Sequence, residues 1–140
     1  MEISTPDERT LTELDHVRLA RLIRSPAEAG PAGHDGPIDA LLDAAELVPS
    51  RAVSPDIVTM YSQVELADLA TGQRQRLTVC YPADAEPARG FVSVLSPVGA
   101  ALIGLRVGAV ARWRTRAGEE GAAEVLALLF QPEASGDYVT

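Results

Sequence analysis

Apolar residues recur at helical spacing near the start of the chain. Between Leu14 and Arg24 they are mixed with charged side chains as in an amphipathic helix, and Thr12 with Asp15 matches a capping box. A second start, Thr5 followed by Pro6, fits the same rules, so the beginning of the helix stays open by about two turns. The prolines and glycines of residues 25–37 are incompatible with a helix interior, so the helix ends before them.

A second amphipathic stretch begins at Pro37, a residue that suits the first position of a helix. The two stretches predict a short, antiparallel, coiled-coil-like helical hairpin in residues 1–52. Each arm has about 11 residues, which at 1.5 Å per residue span about 16 Å. The second arm carries its apolar side chains on one stripe: Ile38, Leu41, Leu42, Ala45 and Val48.

From Val58 onwards apolar and polar residues alternate with period 2, which predicts strands with one buried face. The segment Ser96–Gly108 interrupts them; its proline and glycines predict a short buried helix. We therefore expect an α+β fold in which residues 53–140 form a mainly antiparallel sheet with one helix. The predicted strands are Val58–Leu66, Gln73–Tyr81, Phe91–Leu95, Ala109–Arg116 and Ala122–Gln131, with a turn at Thr71–Gly72.

The net charge of −8 is concentrated at the front of the chain, where residues 1–50 hold ten acidic and four basic side chains. A field of this sign repels nucleic-acid phosphates and suits a partner with a basic surface or channel. An acidic surface also serves solubility alone. Direct, sequence-specific nucleic-acid binding is therefore not expected. Trp113 does not change this expectation, because alternation places it opposite Arg112 and Arg114, as a core side chain.

The residues that catalysis requires are scarce. The chain has two histidines, His16 and His34, both outside the strand-rich part, and we expect His16 to face solvent. Cys80 has no second thiol and is expected to pack on a strand. We therefore expect no enzyme activity and no cofactor. The acidic residues around the hairpin tip are Glu28, Asp35 and Asp39. Carboxylates on such a tip are usually solvated by water, so we expect no metal site there.

The amino terminus has acidic residues where a secretory signal would be basic, and no apolar run approaches the roughly 20 residues of a membrane helix. We expect a cytoplasmic monomer without a membrane partner.

Three short motifs, Ser96–Gly99, Leu102–Gly104 and Val107–Gly108, resemble the carboxy-terminal domain of the GreA/GreB transcript-cleavage factors. Within that family the chain is most similar to the Gre-like bacterial regulators of nucleoside diphosphate kinase. That similarity lies in Asp56–Ser62, Val79–Pro82, Pro97–Gly108 and Gln131–Tyr138.

The resemblance implies an FKBP-like domain that docks on RNA polymerase near its secondary channel, with the hairpin pointing inward. Gre factors place acidic residues at the tip of a long coiled coil, where they help to hold a second Mg²⁺ for transcript hydrolysis. Here the arms are short and the tip candidates, Glu28 and Asp35, are separated by proline and glycine. Binding without cleavage is therefore expected. The docking candidates are Ser96, Pro97, Val98, Gly99, Leu102 and Gly104.

Two other functions stay open. An FKBP-like fold also suits a peptidyl-prolyl isomerase or chaperone-like domain, although aromatic residues, at 4% of the chain, are few for an aromatic-lined pocket. Control of nucleoside diphosphate kinase levels, direct or through transcription, is the third.

Overall fold

The structure is a computed structural model that describes residues 9–24, 41–42, 44–114 and 118–136. It is α+β, as predicted, with two α-helices, α1 (Glu13–Arg24) and α2 (Pro97–Leu102), among the described elements. No helix within the described ranges is long and apolar enough to cross a membrane. The strands are β1 (Thr10–Thr12), β2 (Glu46–Val48), β3 (Gln63–Asp68), β4 (Arg74–Cys80), β5 (Phe91–Ser93), β6 (Val110–Arg114) and β7 (Glu120–Phe130).

Five of the strands form one sheet in the order β5-β4-β3-β7-β6. Every neighbouring pair is antiparallel except β4 and β5, which run parallel. The register between β3 and β7 shifts after Gln63 and again after Glu65. Such bulges increase the local twist and bend a strand, so the sheet curls around the core and α2.

The core is aliphatic, in keeping with the low aromatic content. Leu102 and Ile103, at the end of α2, have no exposed surface and pack with Val64, Val79 and Val125 of the sheet. The prediction for Trp113 is confirmed: it packs against the core, whereas Arg112 and Arg114 are exposed. Its indole lies across Gly121 of the neighbouring strand, where a Cβ atom would clash with the ring.

The predicted strand at Val58 is wrong over its first five residues. The chain turns at Thr59–Ser62, where the Ser62 amide donates to the Thr59 carbonyl (3.0 Å), and β3 begins only at Gln63. The Thr59 amide also donates to the Ser62 hydroxyl (2.8 Å). Hydroxyl side chains that bond nearby backbone favour turns over strands, and this pair closes the turn.

The amino-terminal helix α1 starts at Glu13, at the candidate position marked by Thr12 and Asp15. The Asp15 amide donates to the Thr12 hydroxyl (3.0 Å), so Thr12 caps α1. In the second arm, the described residues 41, 42 and 44 are helical. His16, expected to face solvent, is half-buried, and its Nε2 donates to the Leu42 carbonyl (2.9 Å), which ties α1 to that arm.

The second arm does not remain helical to Val48, as its apolar stripe predicted. Residues 46–48 form β2, which runs parallel to β1 with Leu11 opposite Leu47 and Thr12 opposite Val48. The Glu46 amide donates to the Arg9 carbonyl (3.0 Å). The ladder satisfies backbone groups that the end of a helix would leave open.

Arg9 connects the amino-terminal segment to the sheet domain. Its Nη1 donates to the carbonyls of Ala100 (3.1 Å) and Ile103 (2.9 Å) at the end of α2. Carbonyls in the last turn of a helix lack intrahelical partners, and a cation is favourable there. The guanidinium therefore stabilises the end of α2 and the position of β1 together.

We predict that Arg9→Met, which keeps an apolar stem and removes the donors, lowers the free energy of unfolding by about 2 kcal/mol, because part-buried carbonyls lose their partner. Urea denaturation measures the change. Arg74→Met on β4, where the arginine is exposed, is the control and should change stability by less than about 0.5 kcal/mol. Equal effects of the two substitutions would contradict this role of Arg9.

Candidate docking site

Helix α2 begins with a local set of bonds that its sequence encodes. The Ser96 hydroxyl accepts from the Gly99 amide (3.1 Å) and donates to the Ser93 carbonyl (2.6 Å). Pro97 takes the first helical position, where no amide hydrogen is needed. Ser96 thus caps the helix and fixes it to the end of β5.

Gly99 allows α2 to approach the sheet closely. A Cβ atom at this position would overlap the Ser93 carbonyl oxygen and would lie 2.9 Å from the Val94 Cα. Both obstacles are backbone atoms and cannot move aside as a side chain would. Only glycine fits here without displacing the helix.

Gly104 lies where the amino-terminal segment meets the sheet domain. Its φ of +84° is left-handed, and a Cβ would lie 3.1 Å from the Thr10 carbonyl oxygen. Its carbonyl accepts from the Thr10 amide (3.0 Å), and its amide donates to the Val58 carbonyl (2.7 Å). Gly104 therefore joins β1 to the segment before β3.

The six docking candidates fall into two groups by exposure. Gly99 and Gly104 are buried, and Leu102 is completely buried, so their role is to build and hold α2. Ser96, Pro97 and Val98 are half-buried at the helix start. Direct contact with a partner stays a prediction, and we keep it only for these three half-buried side chains.

An aromatic pair that the sequence did not indicate lies at the end of β4. Strands β4 and β5 are parallel, and Cys80 pairs with Ser93. Tyr81, which follows β4, and the chain that leads to α2 therefore leave the sheet at the same end of these strands. The ring centroids of Tyr61 and Tyr81 are 5.7 Å apart, and the Tyr61 hydroxyl donates to Asp84. Burial, followed by this bond, raises the pKa of Tyr61.

Tyr61 has a φ of +66°, the one left-handed residue other than glycine among the described residues. Such a conformation costs of order 1–3 kcal/mol and concentrates at functional sites. Nothing in the sequence marks a left-handed tyrosine; the available signal was the pair of hydroxyl residues, Thr59 and Ser62, that closes its turn.

A buried polar junction lies under α1. Asp15 is 1% exposed, and its Oδ2 accepts from the Met60 amide (3.2 Å). Glu133, 8% exposed, accepts from the Thr59 hydroxyl (2.7 Å). Burial raises the pKa of Asp15 to about 6; the Met60 amide opposes the rise, and the charge of Glu133 adds to it.

The remaining predicted residues have different outcomes. Cys80 is buried, as expected for a packing thiol; its Sγ lies 3.5 Å from the Val92 carbonyl oxygen, and burial raises its pKa. Residues 9–24, 41–42, 44–114 and 118–136 contain no group of three His, Cys, Asp or Glu side chains that could hold a metal. The tip candidates Glu28 and Asp35, with Asp39 and His34, lie outside the described residues.

The part of the chain that carries α2 and the five-stranded sheet matches a known protein family. Residues 53–129 match the family model described as the carboxy-terminal domain of transcription elongation factor GreA/GreB. The chain belongs to the GreA/GreB family. The resemblance seen in the motifs of Ser96–Gly108 is thereby confirmed.

Two curated relatives and one solved structure show the range of this GreA/GreB similarity. The regulator of nucleoside diphosphate kinase of Escherichia coli K12 is 40% identical over 129 residues, covering 92% of this chain and 94% of that protein. The transcription inhibitor protein Gfh1 of Thermus aquaticus is 39% identical over 90 residues, 59% of this chain and 57% of that one. A GreA/GreB elongation factor structure from Nitrosomonas europaea has a TM-score of 0.69 at 29% identity, covering 88% of this chain and 100% of that chain.

We predict that Gly99→Ala destabilises this GreA/GreB domain by about 3 kcal/mol, because the added methyl group overlaps backbone atoms. Val98→Ala, on the same helix but half-buried, is the control and should cost about 1 kcal/mol. Chemical denaturation of both variants measures the difference. A Gly99→Ala protein as stable as the unsubstituted one would show that α2 does not need this close approach.

A second prediction concerns pH. The pKa of Asp15 is raised from 3.8 to about 6 by folding, so its stabilising contribution is fully present below about pH 4 and is lost as the pH rises through 6. An asparagine side chain at this position does not titrate. The free energy of unfolding of the Asp15→Asn variant, relative to that of the unsubstituted protein, should therefore rise by about 3 kcal/mol between pH 4 and pH 8.

Urea denaturation at pH 4, 6 and 8 tests this, with Glu86→Gln as the control for loss of an exposed carboxylate. Parallel pH profiles for Asp15→Asn and the unsubstituted protein would contradict the assignment.

Proposed function

We propose that this protein is a non-enzymatic transcription regulator that binds RNA polymerase near its secondary channel. The observation that carries the proposal is membership of the GreA/GreB family over residues 53–129. Relatives that bear the names of an elongation factor and a transcription inhibitor support it. Since those names describe opposite effects on transcription, the shared property we infer is binding to the transcribing enzyme.

In this proposal residues 53–140 are an FKBP-like docking domain, and residues 1–52 are a short helical hairpin that points into the channel. The acidic excess in residues 1–50 supports this arrangement, because negative charge suits a basic channel. The bonds of Arg9 and Thr10 to the end of α2 also support it. They fix the beginning of the hairpin relative to the docking domain.

The docking face we propose comprises Ser96, Pro97 and Val98, together with Tyr61 and Tyr81 at the end of β4. All five are half-buried, so each has a surface available and a position held by the core. Aromatic side chains held in this way lose little conformational entropy when they bind, and they are frequent at the centres of protein interfaces.

Binding without transcript cleavage follows from the tip sequence. Glu28 and Asp35 are separated by proline and glycine residues, and the arms are short, so we do not expect them to present a close acidic pair at the polymerase active site. The protein would act as a monomer in the cytoplasm, the compartment of RNA polymerase. Any effect on nucleoside diphosphate kinase, named for the relative in Escherichia coli K12, would then pass through transcription.

The isomerase alternative gains no support from the described aromatic residues. Phe130 is 48% exposed at the end of β7, Trp113 lies across Gly121, and the tyrosine pair lies at the end of β4. A surface cavity near the β3–β4 turn has no aromatic lining; its residues are Asp68, Leu69, Ala70, Arg112, Glu120, Gly121 and Ala122.

Binding of the full-length protein to purified core RNA polymerase tests the proposal. We expect micromolar or tighter affinity, competition by a Gre factor, and about a tenfold loss of affinity in Val98→Asp, because a charge at the centre of an interface costs more than 1 kcal/mol. Leu69→Asp is the matched control, since Leu69 is 49% exposed in the β3–β4 turn, away from α2.

No binding at micromolar concentration would contradict the proposal, and equal losses in the two variants would place the docking face elsewhere. A stalled elongation complex provides the second readout. We expect no acceleration of transcript cleavage, and acceleration would overturn the non-catalytic part of the proposal.

A further inference from the structure

The carboxy-terminal turn, residues Gln131–Ser135, lies beyond the GreA/GreB match, which ends at residue 129. It is nevertheless buried: Gln131 is 4% exposed and Glu133 is 8% exposed. Glutamine and glutamate are rarely buried unless other groups bond them. Their burial here therefore requires hydrogen-bond partners.

The partners lie on one segment, Ser54–Ser62. The Gln131 Nε2 donates to the carbonyls of Ser54 (2.9 Å) and Ile57 (2.8 Å). Glu133 Oε1 accepts from the Thr59 hydroxyl (2.7 Å), which lies 2.9 Å from the Ser62 hydroxyl. The carboxy-terminal turn therefore fixes this segment at several points before β3 begins.

The same segment holds α1. The Met60 amide donates to Asp15 Oδ2 (3.2 Å), in the first turn of that helix. The second oxygen, Oδ1, is buried and has no hydrogen-bond partner among the described residues. Of the described charged groups, two act on the pKa of Asp15: Glu133 of the carboxy-terminal turn and Arg18 of α1. The charge of Asp15 in turn raises the pKa of Tyr81, which follows β4.

We propose that the carboxy-terminal turn is a clasp that positions α1 on the sheet domain through Thr59 and Met60, which bond Glu133 and Asp15 respectively, and that a proton on Asp15 tightens the clasp. Two buried carboxylates repel when both are ionised. A proton on Asp15 removes that repulsion and turns an unpartnered acceptor into a donor. Gln131 and Glu133 are thus positioning residues for the helix, and their role does not depend on polymerase binding.

Hydrogen exchange on the full-length protein, in the absence of polymerase, tests the clasp. Gln131→Ala removes two buried bonds, so we expect the protection factors of α1 amides, such as that of Leu19, to fall about tenfold. The protection of Val64 in β3 should change less. Ser135→Ala is the matched control, because among the described residues its hydroxyl bonds only the Pro132 carbonyl within the turn (2.7 Å), and it should leave α1 unchanged.

The Glu133→Gln variant distinguishes a role of the Glu133 charge in positioning α1 from simple packing of the side chain. Its amide oxygen can still accept from Thr59, but it carries no charge to oppose Asp15. In the unsubstituted protein, α1 protection should fall between pH 5 and pH 8; in Glu133→Gln this fall should become smaller but persist, because burial is the larger cause of the raised Asp15 pKa.

Unchanged α1 protection in Gln131→Ala would overturn the clasp. An effect of Glu133→Gln that is the same at every pH would overturn the carboxyl pair and leave Glu133 as packing only. Because neither readout uses polymerase, these failures are distinct from failure of the proposed function.

Discussion

The backbone of Gly104 bonds two other segments, and a side chain at this position would crowd one of them, Arg9–Thr10. The Gly104 carbonyl accepts from the Thr10 amide of β1, and the Gly104 amide donates to the Val58 carbonyl. A left-handed φ of +84° lets the chain leave α2 and make both bonds. The position of β1 is set here, and with it the position from which α1 starts.

Two further contacts depend on this meeting point. Arg9, one residue before Thr10, reaches the last carbonyls of α2, and Asp15, in the first turn of α1, reaches the Met60 amide. Both contacts require β1 to lie where Gly104 holds it. Helices α1 and α2 are thus held by one set of short bonds, which fixes the position of one relative to the other.

Much of this architecture could be predicted from local patterns. Amphipathic spacing located α1, alternation located β4 and β7, and the glycines of Ser96–Gly108 indicated a short buried helix, because these elements obey one periodicity and bury one face. Val48 could not be placed in the same way: its apolar spacing continues the helix, but long-range pairing with Thr12 makes it a strand. Tyr61 and Glu133 were missed because a left-handed turn and a buried carboxylate depend on contacts with distant residues.

We expect the segment Arg9–Thr12, which contains β1, and the sheet domain to behave as one cooperative unit joined at Gly104. Native-state hydrogen exchange at increasing urea concentrations measures the free energy of opening at individual amides. The amides of Thr10 and Gly104 should open with the same free energy as that of Val64 in β3, which is the free energy of global unfolding. Opening of Thr10 at a free energy several kcal/mol lower would contradict it, because the segment would then detach while the sheet stays folded.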